Sequence, residues 1–188
     1  MCIRDRPSTS SVNYAFAGAV EPNAVVVAVD GSGEVCVGTM TATEVVVDVS
    51  GWFDSGLQSA AGRLVDTRED GPGRTVVPGV PLHVPVLDRF GVPASGVRGV
   101  ALNVTAVNPA GGGWLRVWPC GSPEPSTSSV NYASAGAVEP NAVVVPVDGT
   151  GEVCVGTMTA TEVVVDVSGW FSSGLESAAG RLVDTRED

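Results

Sequence analysis

Apolar and polar residues alternate in short runs along most of this 188-residue chain, and no stretch of useful length carries an apolar stripe at helical spacing. That is a strand pattern. In EVVVDVSGWF, residues 162–171, an extended backbone puts Val163, Val165, Val167 and Phe171 on one side, with Glu162, Val164, Asp166, Ser168 and Trp170 on the other. RTVV at 74, VPLHVPVL at 80, VRGVALNVTAV at 97 and WLRVW at 114 also predict strands, separated by GPG, GVPASG and PAGGG. AVVVPV at 142–147 and VCV at 153–155 flank residues 148–151, a pattern that predicts a hairpin. Pro146 has no N–H to give to a ladder, so its strand is expected to lie at an edge or to turn that position outward. Many short strands with Gly and Pro turns predict an all-β sandwich, of jelly-roll or immunoglobulin-like type.

The pattern occurs twice. Residues 7–70 return as 125–188, a period of 118 residues, and only five of the 64 aligned pairs differ: Phe16/Ser134, Ala28/Pro146, Ser32/Thr150, Asp54/Ser172 and Gln58/Glu176. A period that long exceeds a solenoid unit and implies tandem domains. Residues 63–171 are expected to form one complete module and 7–53 the C-terminal half of a preceding one. Residues 54–62 and 172–180 would be linkers, with 181–188 starting a further module. MCIRDR at 1–6 does not continue the repeat beyond its cysteine, and the chain is expected to be part of a longer protein. The near identity of the copies leaves one question open: either 7–53 or 125–171 could complete the half offered by 63–118, and the downstream copy is the favoured partner.

Composition narrows the choice of function. Hydrophobic residues make up 44% of the chain and charged ones 16%, enough apolar material for a core. The net charge is −11 and all ten basic residues are arginine, with no cluster to neutralise phosphates, which argues against nucleic acid. The cysteines share the period: Cys2 lies 118 residues before Cys120, and Cys36 the same distance before Cys154. One pair per module reads most simply as a Cys120–Cys154 disulfide, with Cys2 and Cys36 as its upstream counterpart. A zinc site, the alternative, would want closely spaced pairs with histidine, and the one histidine is His83. A disulfide implies an oxidising compartment.

RLVDTRED, GVPASGVRGVALNVTAVNP, GGGWLRVWPCGSPEPSTSSVNYA, EPNAVVVPV and TEVVVDVSGWF, in that order, resemble a repeated β-rich module of large secreted actinobacterial proteins. The resemblance covers nearly all of residues 7–188. It implies an extracellular tandem module that occurs in arrays or beside hydrolase and cell-wall domains, and it brings no catalytic residues.

Three sets of residues are candidates for a site. Trp114, Arg116 and Trp118 share one face of a strand whose other face is Leu115 and Val117, so two indoles flanking a guanidinium would make a platform for a sugar ring or a partner protein. A covered, structural stack is the competing reading. Asp166 lies in a valine run and needs a partner, with Arg63, Asp66 and Arg68 expected to form a structural ion-pair group around it. Calcium on Asp66, Asp70 and Asp166 is the functional version, but the D-x-D-x-D spacing of a calcium loop is absent. Asn103, Asn131 and Asn141 are expected to tie loops to backbone groups. No nucleophile is paired with a base, so no enzyme activity and no cofactor are expected. The leading expectation is a structural or adhesion module that spaces or anchors domains at a bacterial surface, in contact with neighbouring modules. The alternative is a carbohydrate-binding module for cell-wall or environmental polysaccharide.

Overall fold

The computed structural model describes residues 9–29, 31–69 and 74–175. Eight strands follow one another: β1 (Leu57–Asp66), β2 (Leu82–Pro85), β3 (Gly99–Val107), β4 (Gly113–Pro119), β5 (Val130–Tyr132), β6 (Val138–Pro146), β7 (Glu152–Thr157) and β8 (Glu162–Phe171). They form two four-stranded antiparallel sheets, in the orders β1-β8-β3-β6 and β2-β7-β4-β5. No helix occurs among the described residues. β4 pairs with β5, β3 with β6, β2 with β7 and β1 with β8. The protein is thus one long hairpin: an outgoing arm, 57–119, meets a returning arm, 130–171, rung by rung, with the rungs distributed between two sheets.

Alternation along the strands supplies the core between the sheets. Val100, Leu102, Val104 and Ala106 of β3 and Val163, Val165 and Val167 of β8 face Leu82, Val84, Leu115, Val117, Val153 and Val155 of the opposite sheet. The two central strands of the first sheet are buried on their outer faces as well, at Ala101, Thr105, Val164 and Asp166. A bulge interrupts β8: Leu102 pairs with Val167 but Ala101 with Gly169, and the extra residue, Ser168, donates its hydroxyl to the Ala101 carbonyl at 3.2 Å. An extra residue reverses the side-chain alternation beyond it. Trp170 accordingly packs against the core, while Phe171 leaves the valine face and stacks edge-on against Phe53, 5.6 Å between ring centroids.

Residues 9–29 and 31–53 contain no strand, although their sequence is that of β5 to β8. Val45 is 51% exposed where its twin Val163 is 0% exposed, because the outgoing arm beside them has room for one returning arm. The upstream copy instead lies against the outside of the first sheet. Asn23 donates to Asn103 Oδ1 (3.0 Å) and accepts from the Ala142 backbone N–H (2.9 Å), and Asn103 donates to the Ser10 carbonyl (2.8 Å). Between them is a small cleft of about 40 Å³ lined by Ala24, Val25, Ala101, Val144 and Ser168.

Four sequence expectations are corrected. Residues 57–62 are the start of β1, not linker: the run Ser59 to Gly62 is small, and the Phe90 ring lies where any Cβ at Gly62 would be. The turn at 148–151 is a crossing between sheets and not a hairpin, since β6 and β7 belong to different sheets. Residues 74–77 form only isolated bridges, Val76 to Thr161 and Val77 to Val80. Phe171 does not share the face of Val163, for the reason just given. Pro146 does lie on an edge strand, opposite Gly99. Residues 176–188, with most of the second expected linker, lie outside the described residues.

Val163→Ala is expected to cost about 2 kcal/mol of stability, from two lost methyl groups and the cavity they leave. Its twin Val45→Ala should change stability by less than about 0.5 kcal/mol. Urea melts of the two variants check this; equal losses would mean that the upstream arm is also built into a sheet.

Candidate functional site

The alternation of β4 turns Leu115 and Val117 into the core and sends Trp114, Arg116 and Trp118 to the outside of the second sheet. There the Arg116 guanidinium stacks on Trp114, 3.7 Å from the ring centroid. Arg116 also donates through Nη1 to Glu124 Oε1 (3.0 Å) and through Nη2 to the Ser126 carbonyl (3.3 Å). Both partners come from the connection between β4 and β5, so that connection holds the arginine in place. Trp118 is 7% exposed and its indole crosses Gly156 of β7, where a Cβ would come within 2.9 Å of the ring. Trp114 remains half-buried. What faces solvent is therefore one partly open indole capped by an arginine, beside a second indole that is covered.

The register of β1 on β8 sets Arg63 opposite Asp166. Arg63 grips Asp166 with Nε on Oδ1 (2.9 Å) and Nη2 on Oδ2 (3.4 Å), and its Nη1 reaches Asp66 Oδ2 at 2.9 Å. Arg68 completes the group, with Nη2 on Asp66 Oδ2 at 2.6 Å, Nε on Oδ1 at 2.8 Å and its backbone N–H on Oδ1 at 3.1 Å. The hydrogen bonds from Arg68 hold the Asp66 carboxyl below its ordinary range despite burial. Burial pushes the Asp166 carboxyl up, against the pull of Arg63. Two guanidinium groups occupy the carboxylate faces that a calcium ion would need, and Asp70, the third ligand of that reading, lies outside the described residues.

The third cluster lies at one end of the second sheet. Trp118 is opposite Cys154, and Cys154 is bonded to Cys120, 34 positions away in sequence. Cys36 is also disulfide-bonded, and Cys2 lies outside the described residues. His83 neighbours Cys154 across the β2–β7 ladder, and its Nδ1 is 2.9 Å from Glu152 Oε2. One of its ring nitrogens and the two sulfurs lie within 4.8 Å of one another, but sulfurs joined to each other are not thiolate ligands. Asp148 binds the Thr150 hydroxyl and backbone N–H, and the Gly121 N–H next to the disulfide; the Thr150 hydroxyl does most to hold its carboxyl below the ordinary range.

Some of these partners carry no mark in the sequence. Glu124 and Ser126 read as loop residues, and only the fold carries them to Arg116. Tyr132 belongs to no motif either, yet its hydroxyl lies 2.9 Å from Thr157 Oγ1 and donates to the Trp114 carbonyl at 3.2 Å, joining β5, β7 and β4. A tyrosine on a strand whose neighbours face the core is the signal that could have found it. Asn141 donates to the Ser129 carbonyl at 2.7 Å, and its twin Asn23 to the Ser11 carbonyl at 2.6 Å. Asn131 is exposed.

The class defined by these features is a two-sheet, all-β domain stapled by a disulfide. The chain matches no protein-family model and none of the curated proteins. Among the described residues no helix is long and apolar enough to cross a membrane.

Replacing both Cys120 and Cys154 by serine should lower stability by about 3–4 kcal/mol, the chain-entropy value for a loop of this size; denaturant melts of the oxidised protein and the variant measure it. Asp148 contributes stability at neutral pH, and it loses that contribution as pH falls through its depressed folded-state value. The melting-temperature gap between the wild type and Asp148→Asn is therefore expected to narrow as pH is lowered through and below about 4, the ordinary aspartate value. Chelator should leave the melting temperature of the wild type unchanged, since arginine already neutralises Asp66 and Asp166.

Proposed function

We propose that this chain carries a non-enzymatic extracellular module that spaces or anchors domains at a bacterial cell surface. The observation that carries the reading is that its polar and aromatic clusters are engaged internally. Arg116 is held by Glu124 and Ser126, Trp118 is covered, and Asp66 and Asp166 are each bound by arginine. A scaffold asks for stability and repetition, and the near-identical copies at a 118-residue period supply the repetition. The strand orders β1-β8-β3-β6 and β2-β7-β4-β5, two sheets made from one folded-over hairpin, favour a jelly roll over an immunoglobulin-like sandwich. The disulfide is compatible with an oxidising, extracellular setting. Its partners would be neighbouring modules of the same chain.

A second reading has one observation in its favour. The half-buried face of Trp114 with Arg116 upon it is the kind of surface on which a sugar ring stacks, and it would make the module a binder of cell-wall or environmental polysaccharide. Sedimentation of the full chain with insoluble peptidoglycan, cellulose and chitin separates the two. The spacer reading expects the protein to stay in the supernatant with all three polymers. Retention that is abolished by Trp114→Ala would replace it with the glycan reading.

A further inference from the structure

β6 is an edge strand of the first sheet, and prolines close part of that edge. Its register on β3 runs without a break, so alternate residues turn their N–H groups outward. Ala142 belongs to the outward set, since its N–H goes to Asn23, and Pro140, Val144 and Pro146 share its parity. Pro140 and Pro146 have no N–H, which blunts the edge against an added strand. A partner must reach this edge with a side chain instead. Asn23 does so: its Oδ1 accepts from Ala142, while its Nδ2 donates to Asn103 Oδ1 and to the Ser11 carbonyl. Ala24 and Val25 follow it and line the cleft against Ala101 and Val144.

The downstream copy offers the same key. Asn141 Nδ2 holds the carbonyl of Ser129, the twin of Ser11, and its Oδ1 has no hydrogen-bond partner among the described residues. Asn141 is exposed and lies opposite the core residue Val104, whereas Ala142 lies opposite Asn103. The offered asparagine and the receiving Asn103 therefore fall on opposite faces of the sheet. One module can give its asparagine and receive another's at the same time, and a contact between two different surfaces repeats head to tail.

We propose that the outward edge of β6, with Asn103 beside it, receives the preceding module of a tandem array, keyed by the asparagine at the position of Asn23. In a spacer, the reading on which this rests, such a seam fixes each module against the next.

Residue-resolved amide exchange of the full chain tests the seam. Asn23→Ala is expected to speed exchange at Ala142 by about tenfold, the worth of one ordinary hydrogen bond, and to leave Val163, whose N–H is bound to Thr67 Oγ1 in the core, unchanged. The same substitution is then made in a longer chain, where a copy of residues 63–124 replaces residues 1–6 and gives the upstream copy an outgoing arm of its own. The seam predicts that Ala142 stays protected there and stays sensitive to Asn23→Ala. Exchange at Ala142 that ignores Asn23 in either chain overturns the proposal. Retention on a polysaccharide, by contrast, counts against the spacer reading and not against the seam.

Discussion

A β-strand holds its shape only while another strand satisfies its backbone, and the rest of this molecule depends on that constraint. The outgoing arm, β1 to β4, offers four rungs, and the returning arm, β5 to β8, fills them. The upstream copy of the returning arm has nearly the same residues and no ladder, so its valines stay at the surface. Burial of β8 on both faces, the stacking of Phe53 on Phe171 and the position of Arg63 all follow from which copy obtained the partner.

The polar groups of the domain are arranged to support that pairing. Asp166 lies in the middle of a valine strand, where an unpaired carboxylate would be costly, and Arg63 meets it with a bidentate contact from the adjacent strand. The disulfide ties the end of β4 to β7, and Asp148 fastens the neighbouring turn to the same place. Tyr132 performs the equivalent task at the opposite end of the second sheet by bonding to two other strands. Each device spans elements far apart in sequence. Each leaves its polar groups satisfied within the domain.

Much of this was legible from residues. Period-two alternation placed β8 at residues 162–171, located β3 and β4 to within a few positions, and put Leu115 and Val117 opposite the tryptophans. The periodic cysteines pointed to the Cys120–Cys154 bond. Local pattern failed where geometry was not local. SAAG reads as linker because small residues favour loops, and it is strand here because Phe90 needs the space above Gly62. The bulge at Ser168 moved Phe171 off the expected face, and a single extra residue leaves no mark in the alternation upstream of it.

The two copies separate what each level decides. By itself the sequence determined the β class, the repeat, the Cys120–Cys154 pair and even local bonds: Asn23 and Asn141 each reach the equivalent serine carbonyl, in an irregular arm and in a sheet alike. Only the tertiary structure decided which copy became strands, which sheet each strand joined and which tryptophan was covered. The physical reason is that a side chain carries its own preferences with it, whereas a ladder exists only where a second strand is free to complete it.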